Sequence, residues 1–123
     1  MISVKTYLYN RSRSFYYAGS GIKKFFKSEP NAPIHLVITL IALGMAVILK
    51  VNKTEAFVLL IVTSMVWTTE IFNTAIEKIC DRFEKNIDTD VAFIKDVSAA
   101  AVLISSVVAL ISGIYIFYPK IFT

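Results

Sequence analysis

Residues 56–81 read AFVLLIVTSMVWTTEIFNTAIEKICD. The first fourteen are apolar or hydroxylated, and Glu70, Asn73, Glu77 and Asp81 follow with neither glycine nor proline between them. At about 100° per residue, spacings of three, four and four return these side chains to nearly one bearing, so a helix here carries a polar stripe out of an apolar segment. Fourteen residues cover roughly 20 Å, which leaves Glu70 inside a hydrocarbon layer of about 30 Å. Glu77 stands about 10 Å further along, near headgroup level. An acid within a membrane span costs roughly 2.5–3.5 kcal/mol on insertion scales, so its presence marks a function. A carboxylate, an amide and two more carboxylates on one stripe point to cation and proton chemistry at a membrane surface.

Outward from that segment the pattern is helical throughout. Residues 34–49 form an apolar run whose polar members are His35 and Thr39, and Pro33 suits the first turn of a helix. Residues 50–55 make a tight polar connection, Asn86, Asp88, Thr89 and Asp90 mark a loop, and 97–118 is the longest apolar run, ending at Pro119. Before the first span, Phe15, Tyr16, Ile22, Phe25 and Phe26 alternate loosely with Lys23, Lys24 and Lys27. That alternation predicts an amphipathic helix on the inner leaflet, made less regular by Gly19 and Gly21. Gly19-Ser20-Gly21 is too short for a phosphate loop. The expectation is an all-α membrane protein, one domain over 1–123. It has a surface helix at about 14–28 and three transmembrane helices at about 33–50, 56–81 and 96–118.

Composition agrees. The chain is 56% hydrophobic with a net charge of +4, and its mean hydropathy of +0.65 lies outside the range of ordinary soluble domains. Lys5, Arg11, Arg13, Lys23, Lys24 and Lys27 precede the first span, and Lys78, Arg82, Lys85 and Lys95 lie between the second and third. The other side carries Lys50, Lys53 and Lys120. The positive-inside rule therefore puts the N-terminus and the second connection in the cytoplasm. Basic residues flanking apolar spans fit anionic headgroups rather than nucleic acid. No cleavable signal peptide is expected from the polar, aromatic N-terminus. Cys80, the lone cysteine, excludes an internal disulfide and reads as a small buried hydrophobe.

The stripe can serve two species at different depths. The deeper carboxylate, Glu70, can take a proton from a lipid hydroxyl. The shallower, Glu77, can bind a hard divalent cation carrying a polyphosphate, since Mg²⁺ favours one or two carboxylates plus phosphate oxygens and water. Asn73 can orient either carboxylate, or simply hold helices together. Glu29 is the candidate second metal ligand, Lys95 can neutralise phosphate charge, and Asp96 can cap a helix or contact a nucleotide. Asp81 reads equally as a site residue or a solvated loop face. His35 reads as a satisfied polar contact or a ligand. Tyr16 and Tyr17 suit interface anchoring or stacking on a base.

Glu70-Ile71-Phe72-Asn73-Thr74-Ala75-Ile76-Glu77 resembles the E-x-x-N-[ST]-A-I-E signature of the prokaryotic diacylglycerol kinase family, which includes undecaprenol kinases, and Asp81 follows as it does there. Lys95-Asp96-Val97-Ser98-Ala99-Ala100-Ala101-Val102-Leu103 is similar to that family's K-D-x-[AGS]-[AS]-[AG]-A-V-L run, and the likeness extends over about 16–113. The resemblance implies a homotrimer of three-span subunits in the bacterial inner membrane. Shared active sites at the cytoplasmic interface would pass the γ-phosphate of Mg-ATP to undecaprenol or diacylglycerol. It implies Glu70 as general base supported by Asn73, and Glu29 and Glu77 as Mg²⁺ ligands. It gives Tyr17, Glu29, Glu77, Asn86, Ile87, Asp88, Lys95 and Asp96 as ATP contacts, with Asp81, Asn31 and His35 in support. The chain departs from the family at Ala32-Pro33, where a Phe-Arg or similar pair is common, and at Asn10, where better-known members have arginine. The Asn31…Ile34-His35 pattern resembles the undecaprenol branch. Two rivals from other classes are a small ion- or proton-conducting oligomer lined by Glu70 and Asn73, and a structural membrane adaptor indifferent to Glu77.

Overall fold

The computed structural model describes residues 4–83 and 88–122. Four helices account for nearly all of them: α1 (Val4–Ser28), α2 (Ala32–Ile48), α3 (Lys53–Phe83) and α4 (Thr89–Phe122). The chain divides into two compact units, Met1–Pro33 and Ile34–Thr123.

In the first unit, α1 begins ten residues earlier than the expected start near residue 14, and neither Gly19 nor Gly21 interrupts it. Local pairs explain the extension. Arg11 lies over the Tyr7 ring at 5.0 Å and Arg13 over Tyr9 at 5.9 Å, while Arg13 Nη2 donates to the Tyr17 hydroxyl at 2.6 Å. All are i, i+4 pairs, the spacing that stacks side chains on a helix surface. After α1 ends, the Asn31 amide donates to Glu29 Oε1 at 3.2 Å, and Glu29 is buried.

In the second unit, α3 and α4 form the close pair. Val62, Val66, Glu70 and Thr74 of α3 are buried at successive spacings of four. On α4, Ser98, Val102, Ser105, Ala109, Ser112 and Ile116 are buried or half-buried at alternating spacings of four and three. That seam has a period of 3.5 and small residues at most positions, which lets two backbones approach closely where lipid supplies no hydrophobic drive. Large apolar side chains face outward instead: Leu40, Leu60, Leu103 and Leu110 are each about 60% exposed. Such a surface suits hydrocarbon rather than water.

By length and composition α3 and α4 can each cross a membrane. α2, at seventeen residues, makes a third span only when taken with the helix before it. Its C-terminus is closed by the Lys50 amide donating to Val47 O at 3.3 Å and the Val51 amide to Ala46 O at 3.1 Å. Lys50 adopts φ 51°, the left-handed residue of a Schellman motif.

Three further expected boundaries need correction. Lys53, Thr54 and Glu55 are the first turn of α3 rather than connection, because Asn52 Oδ1 accepts the Glu55 amide at 2.9 Å while Glu55 Oε2 accepts the Asn52 amide at 2.7 Å, a reciprocal capping box. Thr89 and Asp90 are helical rather than loop, since Asp88 Oδ1 accepts the amides of Asp90 at 2.8 Å and Val91 at 3.3 Å and so caps α4 seven residues before the expected start. Asp96 is therefore helix interior and not a cap. α4 also runs through Pro119 to Phe122, so the proline sits in the last turn instead of ending the span.

Candidate active site

The stripe on α3 meets α2 at its deep end and α4 further along. Glu70 is 4% exposed, and its Oε1 lies 2.6 Å from His35 Nε2 on α2. With the carboxylate ionised it is an acceptor only, so Nε2 carries the hydrogen. One turn back, the Trp67 indole N–H donates to Thr39 Oγ1 at 3.1 Å. Across the α3–α4 seam, the Thr69 and Ser105 hydroxyls share a hydrogen bond of 2.8 Å.

Towards the end of α3, Ser98 Oγ donates to Asn73 Oδ1 at 2.6 Å, and Asn73 Nδ2 donates to Glu77 Oε1 at 3.3 Å. The amide is thereby fixed in orientation, with its acceptor towards α4 and its donors towards the carboxylate. Beyond it, Lys95 Nζ lies 2.8 Å from Asp81 Oδ1. The hydrogen bond and charge of Asp81 hold the Lys95 ammonium above its ordinary value. Cys80 is buried, as its apolar reading requires.

Below Glu70, a cavity of about 540 Å³ opens among α2, α3 and α4. Ile38, Met45, Val62, Leu110 and Phe117 are among the side chains lining it, and His35 and Trp67 stand at its polar end. His35 is thus the point where the apolar volume meets the stripe.

The structure brings Glu70, Asn73, Glu77 and Asp81 into line on α3 and joins them to His35, Ser98 and Lys95. Asp88 serves as the α4 cap, and Asp96 is exposed one position beyond Lys95. Tyr17, Glu29 and Asn31 belong to the first unit, where Tyr17 accepts from Arg13 and Glu29 accepts from the Asn31 amide. Asn86 and Ile87 lie outside the described residues. Among the described residues, no three His, Cys, Asp or Glu side chains converge as a metal cage would require. Ser98 and the Thr39–Trp67 pair were not singled out by sequence reasoning. A seven-residue interval between Ser98 and Ser105 in an otherwise apolar run is the pattern that marks a shared helix face.

The family model for prokaryotic diacylglycerol kinase matches residues 16–117. The chain belongs to that family, which makes it a prokaryotic lipid kinase built on apolar membrane helices. It is 28% identical over 109 residues to a protein of Bacillus subtilis (strain 168) named undecaprenol kinase, covering 89% of each chain. It is 29% identical over 109 residues to a diacylglycerol kinase of Synechocystis, covering 88% of this chain and 62% of that one. No solved structure gives a significant match.

Proposed function

We propose that this chain transfers the γ-phosphate of Mg-ATP to the hydroxyl of a membrane lipid alcohol, undecaprenol or diacylglycerol, at the cytoplasmic face of the bacterial inner membrane. The observation that carries the proposal is the α3 stripe, in which buried Glu70 is followed one turn on by Asn73, whose amide donates to Glu77. Helix rise puts the first carboxylate at hydrocarbon depth and the second near headgroup level if α3 spans the bilayer. Phosphoryl transfer depends on positioning, charge neutralisation and in-line geometry more than on covalent chemistry. Glu70 takes the hydroxyl's proton. Asn73, held by Ser98, orients Glu77. Glu77 and Glu29 would hold Mg²⁺, and one or two carboxylates suit that ion, which completes its shell with phosphate oxygens and water. The chemistry it supplies is neutralisation of polyphosphate charge. Lys95, Asp96, Tyr17 and the segment from Asn86 through Ile87 to Asp88 contact the nucleotide.

A chain this small carries few polar groups with which to enclose two substrates, which supports a homotrimer with active sites shared between subunits. On α1, Val4, Leu8, Phe15, Ile22, Phe25 and Phe26 fall on one side at helical spacing, with Lys5, Lys23, Lys24 and Lys27 on the other, while Arg11 shares the first side and Tyr16 the second. That distribution supports a surface helix on an anionic leaflet. The test is to incubate purified protein with labelled ATP, Mg²⁺ and both lipids in mixed micelles. The lipid labelled with the higher kcat/KM is the substrate, and label in neither would end the kinase reading.

A further inference from the structure

His35 and Glu70 are 35 positions apart and on different helices, yet their Nε2 and Oε1 atoms lie 2.6 Å from each other. An ionised carboxylate as buried as Glu70 needs a donor to offset its lost hydration. The donor here is itself held in place. Trp67 sets its ring edge against the imidazole, with centroids 6.1 Å apart and planes at 63°, and anchors its own N–H on Thr39. Thr39 is one turn beyond His35, and Trp67 one turn before Glu70. Two side chains from α2 and two from α3 therefore brace one another.

We infer that His35 is a positioning residue for the phosphoryl transfer proposed above, a reading on which this inference rests. Its N–H holds Oε1, fixes the rotation of the Glu70 carboxylate, and leaves Oε2 to act as the base. In the step itself, the lipid O–H bond breaks and its proton passes to Oε2. The oxygen's electron pair forms the new bond to the γ-phosphorus. The bond from that phosphorus to its bridging oxygen breaks, and ADP leaves with the electron pair. The His35–Oε1 hydrogen bond persists throughout. The brace also fits the burial pattern: His35 lines the apolar cavity and Glu70 does not, so the imidazole stands between that volume and the base.

A hydrogen bond that merely joined α2 to α3 would affect stability and leave the chemistry of folded protein alone, and steady-state kinetics of the full chain in mixed micelles separate the two roles. His35→Ala is expected to lower kcat about 10- to 100-fold with KM for Mg-ATP unchanged, the range typical of losing a group that orients a reacting one. His35→Gln, whose amide N–H reaches to a similar point, is expected to stay within about 3-fold of wild type, since the donor is kept. Added imidazole is expected to restore part of the His35→Ala rate. Trp67→Phe removes the anchor to Thr39 and is expected to cost about 2- to 5-fold, in line with one neutral hydrogen bond. Wild-type kcat in His35→Ala overturns the inference. So does folded His35→Gln that is as slow as His35→Ala with no response to imidazole. Should His35→Ala fail to fold, His35→Gln decides alone: near-wild-type turnover supports the role, and slow turnover in folded protein removes it. Active wild type with an unaffected His35→Ala removes this inference only, whereas wild type inactive on both lipids removes the kinase reading and this inference together.

Discussion

At one end of the α3–α4 pair, Lys120 Nζ lies 3.0 Å from Glu55 Oε2; at the other, Lys95 Nζ lies 2.8 Å from Asp81 Oδ1. Both are lysine–carboxylate pairs bridging the same two helices, yet they close different structures. Glu55 is also tied into a capping box with Asn52, and Lys50 completes the preceding turn, so this corner satisfies its polar groups locally and ends there. The Lys95–Asp81 pair is the exposed beginning of a series that continues inward through Glu77, Asn73 and Ser98 towards buried Glu70 and His35. An ion pair between helices does not by itself identify a site. Polar groups that continue from the surface into an apolar interior, where each costs desolvation, mark a candidate one.

The largest expected contrast lies in activity. Glu70→Gln should lower lipid phosphorylation by about 10²- to 10⁴-fold, the range for losing a general base, and Glu77→Gln should remove most Mg²⁺-dependent turnover. Glu55→Gln should change neither. Retention of the folded protein, checked by size-exclusion chromatography in detergent, separates chemistry from collapse. Full activity in Glu77→Gln would break the contrast and the metal assignment with it.

The two lysines supply a smaller test. Lys95→Met should raise KM for Mg-ATP by about 10-fold, consistent with one charge-assisted contact, while Lys120→Met leaves KM alone. Equal effects at both positions would mean that the Lys95 pair, too, only joins helices.

A pH titration of stability should sharpen the comparison. The Asn52 amide, and after it Lys120, hold the Glu55 carboxyl below its ordinary value. A depressed carboxyl contributes stability that is present above its unfolded value of about 4.3 and lost as pH falls through the lower folded value. The thermal midpoint should therefore drop over that acidic window, and the part of the drop due to this corner should vanish in Glu55→Gln.

The smallest effect belongs to Lys50. A side chain at φ 51° carries a penalty of about 1 kcal/mol that glycine avoids, so Lys50→Gly should raise stability by about that amount without touching turnover. Loss of stability would show that the lysine makes up the strain through its side chain.

Helix existence was legible in α3 and α4 because apolar runs of spanning length leave the backbone no other way to satisfy its hydrogen bonds in lipid. Helix ends were less legible. Asp88, Thr89 and Asp90 read as a loop because short polar side chains favour both turns and N-caps, and only the bonds from the Asp90 and Val91 amides decide between them. The early start of α1 was hidden because its support comes from Arg–Tyr pairs rather than from an apolar period.

For the site, spacing alone put Glu70, Asn73, Glu77 and Asp81 on one face, since a helix without proline or glycine over those residues allows no other arrangement. Which groups on other helices complete that face was not available from spacing. The partnerships of His35 with Glu70, Ser98 with Asn73 and Lys95 with Asp81 depend on how far each helix slides and turns against its neighbour. That register is set by small residues along the α3–α4 seam and by the Trp67–Thr39 anchor, and it takes its value only once the helices have packed.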